Sequence, residues 1–344
     1  MRAVVLYEHG GFDRLRYVED FPDPAIGPGD VLVRVLASSL NYHDLFTLHG
    51  MPGIKIPMPV IMGLDIAGEI AAVGPEVSGW TVGDRVLVDP VNRVEGGLMG
   101  ETLHGGFAEL CKVRAHQLIR LPDEVGCDAA ATLPIAYGTA LRMMQTIGHV
   151  AAGERVLVLG ASGGVGVCCI MLAKLAGAEV IACTSSNEKA ERLRRLGADH
   201  VINVAETDFM AAVHARYGKP ARRSDTGGVD VVVNYTGGDS WVKSLRCLRR
   251  GGRLLTCGAT AGYAPAEDIR YIWTFELQIL GSNNFRPAEL TQLLEMVRSG
   301  RLTAIIDRRF PLSGVGEALR LLEERKVFGK LVITPQAAAQ PSAG

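Results

Sequence analysis

Several features that mark whole classes of protein are missing from this sequence. No apolar stretch approaches the roughly 20 residues that cross a bilayer. The N-terminus, MRAVVLYEHG, sets one basic residue before a short apolar run, which fits neither a signal peptide nor an anchor. A cytoplasmic location with no membrane partner is therefore expected. Charge of one sign is missing too. The 36 Lys and Arg stand against 37 Asp and Glu, a formal net charge of −1, so no broad attraction to nucleic acid is expected. Cysteine is sparse and unpatterned: seven residues, at 111, 127, 168, 169, 183, 247 and 257, form no Cys-x-x-Cys pair. That argues against a zinc-finger arrangement and for reduced, mostly buried thiols.

What is present is a chain of 344 residues, 48% hydrophobic and 21% charged, long enough for two domains. Up to about residue 126 it reads as short β-branched runs between turn formers: AVVLY, DVLVRVLAS, IAGEIAAVG, DRVLVDP and FAELCKV. A compact, partly open β-barrel buries such strands. From Arg155 the period changes, and apolar strand runs (RVLVLG, EVIACT, HVIN, VDVVVNYT, RLLTCGA, LQILGS) alternate with helical runs. That alternation predicts an α/β domain with a doubly wound parallel sheet covered on both faces. Gly177, Gly197 and Gly251 are expected as helix C-caps. The expected domains are residues 1–126 with 287–335, and 127–286, followed by a small-residue, disordered tail at 336–344.

VLVLGASGGVGVCCIMLAKLAGAEV carries the strongest local signal. Gly160, Gly163, Gly164 and Gly166, with Ser162 and Val165 among them, follow a buried strand and open a helix. Backbone amides there can approach a pyrophosphate at the positive end of the helix dipole. The end of the next strand separates NAD from NADP, because a carboxylate there accepts from a free ribose and repels a 2′-phosphate. Here that end reads IACTSSNEKAER, with no acid at the strand end itself. Ser185 and Lys189, with Thr184, Ser186 and Arg192 nearby, predict NADPH.

SSLNYHDLFTLHG, residues 38–50, sets Asn41, Tyr42, His43 and Asp44 side by side. These residues could serve a metal, an acid/base step or a capped helix. A metal would need at least three N, S or O ligands, and His43, Asp44 and Asp65 are the available set.

The order DVLVRVLASSLNYHDL, VIMGLDIAGEIAAVG, VGDRVLVDP, GGFAEL, AYGTALRMM, GASGGVG and FGKLVIT resembles the medium-chain dehydrogenase/reductase superfamily over nearly the whole chain, most of all its quinone oxidoreductase and enoyl reductase branch. The resemblance implies a GroES-like catalytic domain, a Rossmann cofactor domain and a homodimer. It also bears on the metal. Asn41 stands where zinc enzymes of the superfamily carry a Cys ligand, Leu64-Asp65 where they carry His-Glu, and ATLPIAYGTA lacks their third ligand. The stretch 89–105 lacks the cysteines of their structural lobe. No metal is expected.

Without a Lewis acid, conjugated acceptors are favoured, since hydride can add to carbon while charge spreads to an oxygen that hydrogen bonds stabilise. The expected activity is NADPH-dependent, zinc-independent reduction of a small conjugated carbonyl or quinone. Alternatives are an enoyl-CoA or acrylyl-CoA reductase, an alcohol dehydrogenase with an atypical metal site, and, from another class, a non-catalytic RNA-associated protein supported only by basic runs such as KPARR. By resemblance Asn41 lies beside the nicotinamide. Tyr42 is a candidate proton or hydrogen-bond donor, and Asp44 and Asp65 are pocket residues that hold their neighbours. On the cofactor side the resemblance adds Thr139, Thr236, Gly258, Ala259, Thr260, Asn284 and Lys330. Val204 departs from the pattern, because zinc-free relatives often place there a Tyr that meets the 2′-phosphate.

Overall fold

The computed structural model describes residues 1–336. The chain forms two compact units, Met1–Ala136 together with the chain from Leu290 onward, and Tyr137–Glu289. The junctions fall about ten and three residues later than the expected 126 and 286. The first shift has a local cause: helix α2 (Cys127–Ala131) packs on strands of the first unit.

The first unit contains β1 (Ala3–Leu6), β2 (Leu15–Val18), β3 (Asp30–Ser39), α1 (Tyr42–His49), β4 (Val60–Ile61), β5 (Asp65–Val73), β6 (Arg85–Val88), β7 (Leu110–Arg114) and β8 (Leu118–Arg120). The second begins with α3 (Thr139–Leu141) and then alternates β9 (Arg155–Val158), α4 (Gly164–Leu175), β10 (Glu179–Thr184), α5 (Asn187–Leu196), β11 (His200–Asn203), α6 (Phe209–Tyr217), β12 (Val229–Val233), α7 (Ser240–Cys247), β13 (Leu248–Thr256), α8 (Ile269–Thr274) and β14 (Gln278–Gly281). After α9 (Pro287–Arg298) the chain supplies the first unit with β15 (Ile306–Pro311), α10 (Val315–Glu323) and β16 (Lys330–Thr334).

In the first unit one sheet runs β15-β16-β3-β5-β6-β8, with β7 also on β3, and a smaller one runs β2-β1-β4. Ten-residue β3 is long enough to pair with β7 at one end, with β16 at the other, and with β5 along most of its length. Its alternation of buried Val31, Val33 and Val35 with Leu32, Arg34 and Leu36 puts one face on a core shared with Ile66, Val86 and Cys111. A second core gathers β1, α1 and α10 around Leu6, Leu45, Leu48, Val315 and Leu319.

The second unit is a six-stranded parallel sheet, ordered β11-β10-β9-β12-β13-β14. This is the doubly wound order predicted from the alternating runs, with its switch point at β9 and β12, where ligands bind such sheets. Strands buried on both faces, such as Val231-Val232-Val233, read as unbroken apolar runs. Gly177 and Gly197 end helices with positive φ, as expected. Gly251 does not: α7 stops at Cys247, and Gly251 lies inside β13, where its positive φ accommodates the register shift against β12. Of the expected disordered tail, residues 337–344 lie outside the described residues, while the Gln336 side-chain amide lies against the Val35 and Glu109 carbonyls.

Candidate active site

Asn41 ends the extended backbone that leaves β3 and opens α1, and an Asn there is a strong N-cap. Its backbone N–H donates to Asp44 Oδ2 at 2.7 Å, and Asp44 N–H donates back to the Asn41 carbonyl at 3.0 Å. One turn of helix thus brings both side chains to the end of β3.

The Asn41 side chain joins a buried network. Its Nδ2 donates to Asp65 Oδ2 at 2.8 Å, and its Oδ1 accepts from the Lys330 ammonium at 2.6 Å. Lys330 also donates to the Leu40 carbonyl at 2.6 Å and lies 3.3 Å from Asp65 Oδ2. Asp65 receives Ser39 Oγ at 2.7 Å on the same oxygen, and on the other the N–H of Ile135 at 3.0 Å. That amide is free because Leu133–Gly138 winds as wide π-type helical turns, and Pro134 beside it has no N–H to offer. The strand pairing β16–β3–β5 fixes the group, placing Lys330, Ser39 and Asp65 at neighbouring strand ends.

Two carboxylates and one ammonium, all nearly inaccessible, cannot all be charged without cost. The cost falls on Asp44. Burial pushes its carboxyl up to about 7 against the opposing pull of the Asn41 amide, and its Oδ1 has no hydrogen-bond partner. Burial also lowers Lys330, with Asp65 and then Asp44 opposing the shift.

The first unit therefore brings together Asn41, Asp44, Asp65 and Lys330. Lys330 was placed on the cofactor side by resemblance, but here its ammonium is engaged by groups of its own unit. Asn41 keeps one amide hydrogen uncommitted within this network. Tyr42 is half-buried, with its ring edge-on to Phe46 and against the core of α1. His43 pairs with Glu101, Nε2 to Oε2 at 2.6 Å. Neither Glu101 nor Ser39 nor Ile135 was singled out from the sequence. Each partner lies far along the chain from the residue it serves, with no spacing to announce it. Among the described residues, no group of three His, Cys, Asp or Glu side chains is placed to hold a metal ion.

In the second unit the glycine-rich turn has the geometry its sequence predicts. Gly160 has φ +63°, and its carbonyl accepts from Gly163 N–H at 3.0 Å, a tight turn that sets Gly163 in extended backbone just before α4. A Cβ on Gly166 would stand 2.6 Å from the Ala161 carbonyl, so only glycine lets the helix close on the strand. Ser162, Gly164 and Val165 lie half-buried between these points.

Tyr235, not singled out from the sequence, gathers several expected cofactor residues. Its hydroxyl donates to the Gly160 carbonyl at 2.7 Å, its carbonyl accepts from Thr260 N–H, and the Thr236 carbonyl accepts from Ala261 N–H. Thr236, Gly258, Ala259 and Thr260 thus fold around the turn. Thr139 opens a helix packed on α4, and Asn284, with φ +59°, precedes Phe285, which packs on Gly138. At the end of β10, Ser185 is exposed, Ser186 Oγ accepts from Lys189 N–H, and Val204 N–H donates to the Thr184 carbonyl. Glu188 lies out on α5.

Residues 27–123 match the family description "Alcohol dehydrogenase GroES-like domain", and residues 164–299 match "Zinc-binding dehydrogenase". The acryloyl-coenzyme A reductase of Sulfurisphaera tokodaii is 30% identical, covering 92% of this chain and 96% of that protein. The crystal structure of an NAD-dependent alcohol dehydrogenase superposes with a TM-score of 0.88 at 34% identity, over 97% of this chain and 99% of that one. The structure of the 2-octenoyl-CoA carboxylase reductase CinF, in complex with NADP and 2-octenoyl-CoA, superposes with a TM-score of 0.86 at 27% identity, over 99% and 90%.

Proposed function

The chain belongs to the medium-chain dehydrogenase/reductase superfamily, and from that membership we propose that it is a zinc-independent, NADPH-dependent reductase of conjugated carbonyls or quinones. One observation carries the zinc-free reading: the Lys330 ammonium sits against Asp65 Oδ2 and Asn41 Oδ1, so the oxygens that could face a metal already hold a cation. A divalent ion beside that ammonium would meet its repulsion with no thiolate to offset it.

The second unit fits a dinucleotide. Gly160 through Gly166 and the start of α4 would hold the pyrophosphate, Thr236 and Gly258–Thr260 would line the approach, and Thr139 and Asn284 would flank the nicotinamide. Ser185 and Lys189 at an acid-free strand end favour a 2′-phosphate. When bound, the cofactor supplies a hydride. The residues of the first unit supply what zinc supplies elsewhere: a hydrogen bond to the oxygen on which charge develops, from the remaining Asn41 amide hydrogen, the Tyr42 hydroxyl or His43. Asp44 and Asp65 hold these groups in place.

A second reading within this class, an enoyl-CoA reductase, is favoured by the relative that acts on acryloyl-CoA and by the neighbour that holds 2-octenoyl-CoA. Of four cations that could meet the CoA phosphates, Arg93, Lys112, Arg114 and Arg286, Arg93 and Arg114 are paired with Asp89, Asp30 and Glu95, so Lys112 and Arg286 are the stronger candidates. Edge strand β14, with Ile279 exposed and Trp273 and Ile269 exposed on the preceding helix, suits pairing with a second copy, and we take the enzyme to be a homodimer. Among the described residues no helix is long and apolar enough to cross a membrane, which suits the proposed cytoplasmic location.

The test follows oxidation of NADPH and NADH separately against quinones, simple enones, enoyl-CoA esters and plain aldehydes. Turnover of a conjugated acceptor with NADPH ahead of NADH is the expected result. Turnover confined to plain aldehydes would contradict the proposal.

A further inference from the structure

His43 has found a partner 58 positions away. Its Nε2 lies 2.6 Å from Glu101 Oε2, and Glu101 is only 8% exposed. The loop that carries Glu101 is fastened to the turn that leads into β5: Gly105 N–H donates to the Ile61 carbonyl at 2.7 Å, Gly106 N–H to Gly63 at 2.8 Å and Phe107 N–H to Met62 at 2.9 Å. Gly100 lies so close that a Cβ there would stand 2.7 Å from Gly63 backbone. The His43–Glu101 pair and the Asn41–Asp65–Lys330 network therefore flank one turn, residues 61–65.

The two ring nitrogens of His43 are not equivalent. An ionised carboxylate only accepts, so the hydrogen in the short contact belongs to Nε2. Nδ1 has no partner among the described residues, and 28% of the side chain is exposed. With Nε2 turned to Glu101, Nδ1 is the nitrogen from which the imidazolium can give up a proton. The other titratable group close by is Asp44, the next residue of α1, and the Phe46 ring stands edge-on to the imidazole. Tyr42, the neighbouring candidate donor, has its ring packed into the α1 core.

We propose that His43 is the general acid of the reduction and that Glu101 is the positioning residue that orients it through Nε2. This rests on the reading of the chain as a reductase of conjugated acceptors. Hydride adds with its electron pair to the β-carbon, and the π pair of the C=C bond moves onto the α-carbon and carbonyl oxygen. The Nδ1–H bond of His43 then breaks, its proton going to the α-carbon or the oxygen. Neutral imidazole remains, with its hydrogen on Nε2 facing Glu101, and water restores the lost proton.

The experiment measures steady-state NADPH oxidation with the best conjugated acceptor for the wild type, H43A, H43N and E101Q, with circular dichroism to establish folding. H43N keeps a donor toward Glu101 but has no proton to give. Both His43 variants should lose about 100-fold or more in kcat with KM for NADPH unchanged, and added imidazole should restore H43A in part. E101Q should lose about 10-fold or more, and imidazole should not restore it. Wild-type turnover matched by H43A, or a loss in H43A that imidazole does not restore, overturns this proposal and leaves the reductase reading standing. A wild type that turns over no conjugated acceptor overturns both.

Discussion

Lys330 shows how one residue can be buried, charged and necessary at once. Its ammonium holds the Leu40 carbonyl, Asn41 and Asp65, and removing it would leave Asp65 inside the protein with no countercharge. Lys330→Met should therefore cost about 3–5 kcal/mol of stability, read from urea unfolding. Adding Asp65→Asn to that variant should recover part of the loss, because it removes the orphaned charge. Asp44 makes a prediction of opposite character. Its folded carboxyl titrates near 7, raised by burial from the ordinary 3.8, so the folded state holds a proton that the unfolded chain has lost between those values. Stability from this group is complete below about pH 4 and falls as pH rises towards 7. The urea midpoint of Asp44→Asn, followed from pH 4 to 8, should lack that fall. A wild type and variant that keep a constant difference across the window would contradict the assignment. The sequence placed Asn41, Asp44 and Asp65 at one site but not their bonds. Glu101, Ser39 and Ile135 reach it only because strands and loops distant in sequence meet, and no local pattern encodes that meeting.

At the level of elements, local patterns were far more legible. The strand, glycine turn and helix at 155–175 appear as read, because each step is dictated within a few residues: β-branched residues for the strand, a positive φ at Gly160, no room for a Cβ at Gly166. Gly166→Ala should overpack that contact, costing about 1–3 kcal/mol and weakening NADPH binding, to be checked by thermal unfolding and fluorescence titration. Gly251 was misread because a left-handed glycine after a helical run looks alike whether it ends the helix or serves a bulge. The partner strand β12 decides between them. On the proposed reading, the β10–α5 junction carries coenzyme choice. Ser185→Asp places a carboxylate where a 2′-phosphate is expected and should shift the ratio of kcat/KM values towards NADH by about tenfold or more, roughly 1.4 kcal/mol.

At the scale of the whole molecule, the chain divides into two units with separate cores, one carrying the glycine turn proposed to hold a dinucleotide and one carrying the buried polar cluster. The break in hydrophobic period near Arg155 made that division visible in the sequence, and the return of β15 and β16 to the first sheet was anticipated from their position after the sixth parallel strand. The exact junctions were not, because α2 and the turns after it are tied to the first unit by packing and by the Ile135–Asp65 bond. Edge strand β14 predicts a homodimer, and light scattering that finds only a mass near 36.8 kDa would refute it. The central claim is that Asn41, Asp65 and Lys330 replace a metal, and the most direct measurement is NADPH oxidation by exhaustively chelated, metal-assayed protein with a conjugated acceptor. Undiminished turnover at negligible metal content is the predicted result. Activity that vanishes with the chelator and returns with added zinc would contradict it.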